Sequence, residues 1–508
     1  MLAKIHSGAV QGVEGLAVTV EVDIASGLPS FSTVGLAEGA VRESKDRVKA
    51  AVKNSGYDFP SRRITVNLAP ADLKKSGTAY DLPIAAGILA ATGLLRADLL
   101  PRFMLVGELS LDGATRTTEG ILPMALAARD MGMAGIIVPV ANGGEAALVA
   151  GLRVIPVACL ADAVEFLNGD RHIADSLPAE RPALSDDSAH DFADVRGQEQ
   201  AKRALEIAAS GGHNVLMQGP PGSGKTMLAR RLPTILPDPS FDEALETTKI
   251  YSVAGLLPPG SGLLRRRPFR APHHTISDAG LIGGGQYPRP GEVSLAHQGV
   301  LFLDELPEFR RNVLEVLRQP LEDGTVTISR AASSLTFPSR FILVAAMNPC
   351  PCSFLGSGQH ACTCTAAQIQ RYRSRLSGPL LDRIDLHIEV PPVPYRDLKG
   401  SHPGESSAAI RQRVAGARRR QEERFAGRKS VGCNAQMSSR DISRFCALAP
   451  DSQELVESAI ERFGLSARAY TRILKLARTI ADLEESETIA RPHVAEAIQY
   501  RRLAAVLR

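Results

Sequence analysis

Asn214-Val-Leu-Met-Gln-Gly-Pro-Pro-Gly-Ser-Gly-Lys-Thr226 places a short apolar run directly before a glycine-rich turn. Asn214 to Met217 reads as a strand, and Gly219 to Thr226 matches G-x-x-x-x-G-K-[ST] in full. The order has a physical reason. Glycines let successive backbone N–H groups point into one concavity, and a following helix turns its positive end toward the same place. Gly219, Pro220, Pro221, Gly222, Ser223 and Gly224 are therefore expected to cradle phosphates. Lys225 is expected to neutralise the β- and γ-phosphates of ATP, and Thr226 to hold Mg²⁺ through its hydroxyl.

Two further strands fit the same site. Gly299-Val-Leu-Phe-Leu-Asp-Glu305 is an apolar run that ends in two acids. Asp304 is expected to bind Mg²⁺ through water, and Glu305 to orient and deprotonate the attacking water. Phe341 to Ala346 is a second apolar run, followed by Met347-Asn348. Asn348 is then placed to sense the γ-phosphate or to position the same water. Three short apolar strands separated by helical stretches are the pattern of a parallel sheet covered by helices. This central α/β domain is expected over 191–395.

On either side the pattern changes. Before it, Val18-Thr-Val-Glu-Val-Asp-Ile24 and Arg63-Ile-Thr-Val-Asn-Leu68 alternate like half-buried strands, Tyr80 to Leu95 reads as an apolar helix, and Gly135-Ile-Ile-Val-Pro-Val140 as a buried strand. That is a mixed α/β domain over 1–167. Residues 168–190, rich in Asp, Ser, Pro and Ala, read as a linker. After a Pro-rich break, 396–508 are helical and heavily charged.

Composition narrows the class. With 508 residues the chain needs two or three cores, and 44% hydrophobic with 22% charged residues is a soluble globular composition. No run of about 18 apolar residues exists, so no membrane partner is expected. The N-terminus lacks the apolar core of a secretory signal, and a cytoplasmic location is the default. The net charge of +4 identifies no nucleic-acid partner by itself, but basic runs occur at Arg265-Arg266-Arg267 and Arg418-Arg419-Arg420. Such runs also arise as plain solvated faces.

Four of the seven cysteines fall between 350 and 364. Cys350-Pro-Cys352 and Cys362-Thr-Cys364 are two C-x-C pairs that, in a reducing compartment, suit tetrahedral Zn²⁺ in a structural role, with His360 as an alternative ligand and free or redox-active thiols as the competing reading.

Taken together these residues resemble the ComM/YifB family of bacterial magnesium-chelatase-like AAA+ proteins. The resemblance covers essentially the whole chain, including Gly35-Leu-Ala-Glu-Gly-Ala-Val-Arg-Glu-Ser44 and Phe269-Arg-Ala-Pro-His-His-Thr275. It implies a Lon-protease-like N-terminal domain, an AAA+ core and a C-terminal helical lid. It further implies an ATP- and Mg²⁺-dependent homo-hexamer that moves single-stranded or branched DNA, alongside recombination proteins, in natural transformation. Asp382-Arg383-Ile-Asp385 matches the segment of the arginine finger, so Arg383 is expected to reach the γ-phosphate held by a neighbouring subunit. Ser466-Ala-Arg468 matches the lid motif, which makes Arg468 a second phosphate sensor. In related helicases a hairpin at the place of Gly324 to Phe337 faces the ring channel with a basic residue at its tip, here Arg330; Arg265, Arg266 and Arg267 are a second candidate DNA contact.

One departure stands out. Lys74-Lys-Ser-Gly-Thr-Ala-Tyr-Asp-Leu82 lies where Lon places its nucleophile loop, but Ala79 occupies the serine position and Pro123 the lysine position. Neither serves as nucleophile or base, and Ser76 has no lysine partner placed by the motif. The domain is expected to bind or assemble rather than cleave peptides. A chelatase-type remodeller of a partner protein remains the competing function, and an ATP-operated switch the third. Glu305 argues against a switch, because a switch needs no water-activating acid.

Overall fold

The computed structural model describes residues 1–36, 39–73, 75, 77–96, 98–178, 190–258, 261–285, 288–330, 333–356, 360–393, 404–428 and 431–507. Contacts divide the chain into two compact units. One is Met1–Ser185 with Ser240–Arg265, and the other is Asp186–Pro239 with Arg266–Arg508.

The first unit is built on a seven-stranded sheet. Its strands are β1 (Leu2–Gln11), β2 (Glu14–Ala25), β3 (Ser30–Val34), β4 (Arg63–Ala69), β5 (Phe103–Leu105), β6 (Gly135–Pro139) and β7 (Arg153–Val157), in the order β3-β4-β2-β1-β5-β6-β7. The predicted alternation in β2 is real: Val18, Val20, Val22 and Ile24 are buried while the residues between them are not. β6 is buried at every position, as a strand flanked by parallel neighbours on both sides should be. The apolar helix runs from Asp81 to Ala91, a turn shorter at its end than its composition implies, because Gly93 takes φ 83° and closes it. Helix Phe241–Val253 also belongs to this unit. Its Ser252 hydroxyl donates to the buried Glu145 carboxylate at 2.5 Å, and the Ser252 carbonyl accepts from the Gly120 N–H at 3.1 Å.

The second unit holds a parallel five-stranded sheet: β8 (Val215–Gln218), β9 (Phe269–Arg270), β10 (Val300–Leu303), β11 (Ile342–Met347) and β12 (Leu386–Glu389), ordered β9-β10-β11-β8-β12. β8, β10 and β11 are buried along their whole length, which is why they read as continuous apolar runs rather than alternating ones. Helices Glu199–Gly211 and Lys225–Ile235 pack against the sheet. The C-terminal helices, from Ser407–Arg424 to Arg491–Leu507, share that same core: Ile410, Val414, Ile473, Leu476, Ile480 and Val494 cluster with Val215, Met217 and Val344. No helix among the described residues is long and apolar enough to cross a membrane.

At the lower end of β8 the unit is pinned by a buried polar cluster. Asp385 accepts from Arg472 Nη1 at 2.7 Å and from the Asn214 N–H at 3.0 Å, and lies 3.4 Å from His213 Nδ1. Asn214 in turn donates to the Arg383 carbonyl at 3.1 Å and accepts from the Leu343 N–H at 2.8 Å. Burial alone would raise the Asp385 carboxyl, but Arg472, His213 and the Asn214 N–H outweigh it and hold the pKa below the usual range. A depressed folded-state pKa stabilises above the unfolded value of about 3.9, and that contribution is lost as pH falls through and below it. Asp385→Ala, which strands Arg472, is expected to destabilise this unit by about 3–5 kcal/mol. Calorimetric unfolding near pH 7 measures the loss, and the gap between variant and wild type should narrow at pH 3.

Candidate active site

The phosphate loop leaves β8 where that strand lies between β11 and β12. Gln218 pairs with Met347 on one side and Glu389 on the other, and the Gly219 N–H donates to the Met347 carbonyl at 3.1 Å. A Cβ at Gly219 would stand 2.2 Å from the Val390 carbonyl oxygen, so only glycine fits there. Gly222 and Gly224 take φ 73° and 93°, the left-handed region that turns the backbone N–H groups inward. Gln198, which the motif did not point to, braces the loop: its Nε2 donates to the Ser223 carbonyl at 3.2 Å and the Pro391 carbonyl at 2.5 Å.

Residues from three strand ends meet above this loop. Lys225 Nζ donates to the carbonyls of Gly219 and Pro220 at 2.7 and 2.9 Å and reaches Asn348 Oδ1 at 3.3 Å. Burial lowers its pKa, and the negative charges of Asp304 and Glu305 oppose that. Thr226 Oγ1 donates to Asp304 Oδ2 at 2.8 Å. A hydroxyl and a carboxylate converging at the start of a helix form an oxygen-only donor pair, the chemistry a hydrated Mg²⁺ selects. Glu305 stands on the solvent side of Asp304 with φ 53°, an unfavourable conformation for a non-glycine residue, and its N–H donates to Asp304 Oδ1 at 2.9 Å. Such strain is characteristic of functional positions. Tyr372 is buried, and burial pushes its phenol up to about 12 and keeps it neutral.

His274, to which the sequence reading gave no role in this site, sits with Nδ1 3.4 Å from Glu305 Oε2, its ring 4.1 Å from that of His273. No spacing rule connects position 274 to 305, so only the fold reveals the contact.

The two arginines are elsewhere. Arg383 is buried on the turn before β12 and paired with Glu322. Arg468 is exposed at the start of helix Ala467–Leu483, close enough to Glu322 to lower its pKa. Arg383, Arg468 and Glu322 thus form a second group, distinct from the Lys225, Thr226, Asp304 and Asn348 group.

The cysteines converge. Cys350 and Cys352 Sγ are 3.4 Å apart, and each lies within 3.7 Å of Cys362 Sγ; all four sulfurs fall within 4.8 Å of one another. His360 meets Phe354 edge to face, with ring centroids 5.0 Å apart, and is not part of that set. Of the basic candidates, Arg267 donates to the carbonyls of Pro237 and Gln298 at 2.7 and 2.9 Å, whereas Arg265 and Arg266 are exposed. Arg330 ends the first strand of hairpin Thr325–Arg330/Ser333–Pro338, opposite Ser333; its side chain lies outside the described residues, as do Ser76 and Lys74. Ala79 and Pro123 are both buried and apolar.

The chain is similar in sequence to known proteins along its whole length. Family models described as magnesium chelatase subunit ChlI, subunit ChlI of Mg-chelatase, and magnesium chelatase subunit ChlI C-terminal match residues 191–398, 20–142 and 404–501. The chain is 47% identical over 507 residues to the uncharacterized protein YifB of Escherichia coli, and 47% identical over 511 residues to the competence protein ComM of Haemophilus influenzae. Each alignment covers 100% of this chain and 98% of the relative. Lon protease 2 of Bacillus subtilis is 31% identical over 153 residues, covering 28% of this chain and 26% of the protease. With its phosphate loop and acid pair on two strands of one parallel sheet, separated by the strand that ends at Met347, and with relatives matched end to end, the chain belongs to the magnesium-chelatase-like AAA+ ATPases of the YifB and ComM type.

Proposed function

We propose that this protein is a ring-forming ATP-driven motor that acts on single-stranded or branched DNA. The observation that carries the ring is the separation described above. Lys225, Thr226, Asp304 and Asn348 converge on one nucleotide, while Arg383 and Arg468 gather around Glu322. A hydrolytic site without an arginine to meet the charge developing on the γ-phosphate lacks a factor on the order of 10³–10⁵ in rate. Arginines supplied by an adjacent copy complete it, and a closed hexamer supplies every site equally. Within each site Lys225 and Thr226 hold the phosphates and Mg²⁺, Asp304 orients the ion's water shell, and Glu305 takes the proton of the attacking water. Asn348 fixes that water against the γ-phosphate.

DNA as the cargo is supported by the full-length likeness to a protein named for competence, and by a hairpin of the right kind. Val326, Ile328 and Phe337 anchor the hairpin in the unit, and its far end carries Arg330. Arg265 and Arg266 add exposed positive charge, and Arg267 is structural in this reading. Backbone-directed contacts of this sort are sequence-independent and salt-sensitive, as translocation requires. Branch migration during DNA uptake, in company with recombination proteins in the cytoplasm, is the biological setting proposed. The family models keep a second reading alive: a chelatase-type ATPase that remodels a partner protein. ATPase activity unaffected by any DNA would favour it.

Zinc is proposed at the cysteine cluster. Tetrahedral Zn–S bonds of about 2.3 Å place sulfurs about 3.8 Å apart, and the separations of 3.4, 3.5 and 3.7 Å among Cys350, Cys352 and Cys362 support a site of that size. Four sulfur ligands leave no open position, so the ion would pin residues 350–364 beside Asn348 rather than catalyse. The domain boundaries proposed are those of the sequence reading, with an N-terminal domain that binds or assembles.

Lys225→Ala is expected to abolish ATP binding. Glu305→Gln should bind a fluorescent ATP analogue normally yet release phosphate at least about 100-fold more slowly; unchanged turnover would remove Glu305 from its role. Protein purified without added metal should release about one zinc per chain when its thiols are blocked by a mercurial, and a paired Cys352→Ser and Cys362→Ser variant should release none. Arg330→Ala should weaken DNA binding equally for all sequences and reduce the salt slope by about one; affinity and slope that also survive Arg265→Glu with Arg266→Glu would return the cargo to a protein.

A further inference from the structure

Arg383, expected to act on a neighbour's nucleotide, does not project from this chain. Its side chain is 7% exposed; Nη1 donates to the Pro379 carbonyl at 2.8 Å, and Nη2 is ion-paired to Glu322 Oε2. Glu322 is the accessible partner, with 55% of its side chain exposed. Its carboxyl is held below the usual range, first by the hydrogen bond from Arg383, which outweighs a smaller effect of burial, and then by the charges of Arg383, Arg468 and Arg472. Arg383 thus binds this carboxylate directly, while Arg468 and Arg472 act on it by charge alone; Arg383 and Arg468 are the arginines assigned to the γ-phosphate. Guanidinium binds carboxylate and phosphate edges through the same forked donors. A depression of about 620 Å³, open to solvent, is lined by both Glu322 and Arg383, so an anion carried by another molecule has access to the pair. Glu322 also lies on helix Arg318–Asp323, which passes through Gly324, at φ 66°, directly into the hairpin at Thr325.

We propose that Glu322 is an intramolecular stand-in for the neighbour's γ-phosphate: it withholds Arg383 until an ATP-loaded neighbour, or a shift of the hairpin two residues away, displaces it. The inference rests on the reading of Arg383 as a group acting across the subunit boundary. It adds a brake that ties hydrolysis to occupancy of the ring and to movement of the hairpin. Glu322 is a positioning residue here, because it acts only through Arg383.

The test is steady-state ATP hydrolysis by the full-length chain at a protein concentration that saturates assembly, with and without single-stranded DNA. Glu322→Gln is expected to raise the basal kcat about fivefold, the size of one partly exposed ion pair, with KM for ATP unchanged. The DNA-stimulated rate should stay where it is, so the stimulation ratio falls by the same factor. Glu322→Ala should behave like Glu322→Gln, and Glu322→Asp, which keeps the charge, should keep the low basal rate. The double variant Glu322→Gln with Arg383→Ala should be as slow as Arg383→Ala alone. A Glu322→Gln rate at or below wild type, or a double variant faster than Arg383→Ala, overturns the brake. Full activity of Arg383→Ala by itself would instead overturn the assignment of Arg383, so the two failures are distinguishable.

Discussion

The parallel hydrogen bonding of β8 between β11 and β12 is the constraint on which the site depends. It sets the ends of β8, β10 and β11 side by side, so a lysine, an aspartate and an asparagine far apart in sequence arrive at one end of the sheet. It also leaves no room beside Gly219 for a side chain, since the Val390 carbonyl occupies that position. At the opposite end of β8, Asn214 and Asp385 connect the same strand to the turn carrying Arg383 and, through Arg472, to the helix that begins beside Arg468. One short strand thus links the group around Lys225 to the group around Glu322.

Much of this was legible in the residues. The continuous apolar runs predicted β8, β10 and β11 to within a residue or so, because strands buried on both faces need no polar alternation. The glycine-rich turn, its lysine and the two acids followed from the chemistry of phosphate binding, and the structure brings Lys225 within hydrogen-bond reach of Asn348 and Thr226 within reach of Asp304. The convergence of the four cysteines was likewise readable from two C-x-C pairs.

What escaped the sequence were contacts between residues with no spacing relation. The pairing of His274 with Glu305, the brace from Gln198, and the ion pair of Glu322 with Arg383 each join different elements. Charge runs were misleading for a related reason: composition does not say where a guanidinium points. Arg418 donates to the Ala209 carbonyl and Arg420 approaches Glu485 at 3.4 Å, so much of that run ties the last helices to the sheet unit. Helix Phe241–Val253 is a similar case, continuous in sequence with the phosphate-loop helix but tied by Ser252 to Glu145 of the first unit.

The proposed motor requires that Arg383 cross between copies. The direct measurement mixes two variants that are each inactive alone, Lys225→Ala, which keeps its arginines, and Arg383→Ala, which keeps its phosphate loop. If Arg383 acts in trans, mixed rings contain interfaces where an intact loop meets an intact arginine, and hydrolysis reappears in proportion to the number of such interfaces. Hydrolysis that stays absent at every mixing ratio, in rings verified to contain both variants, would contradict the claim.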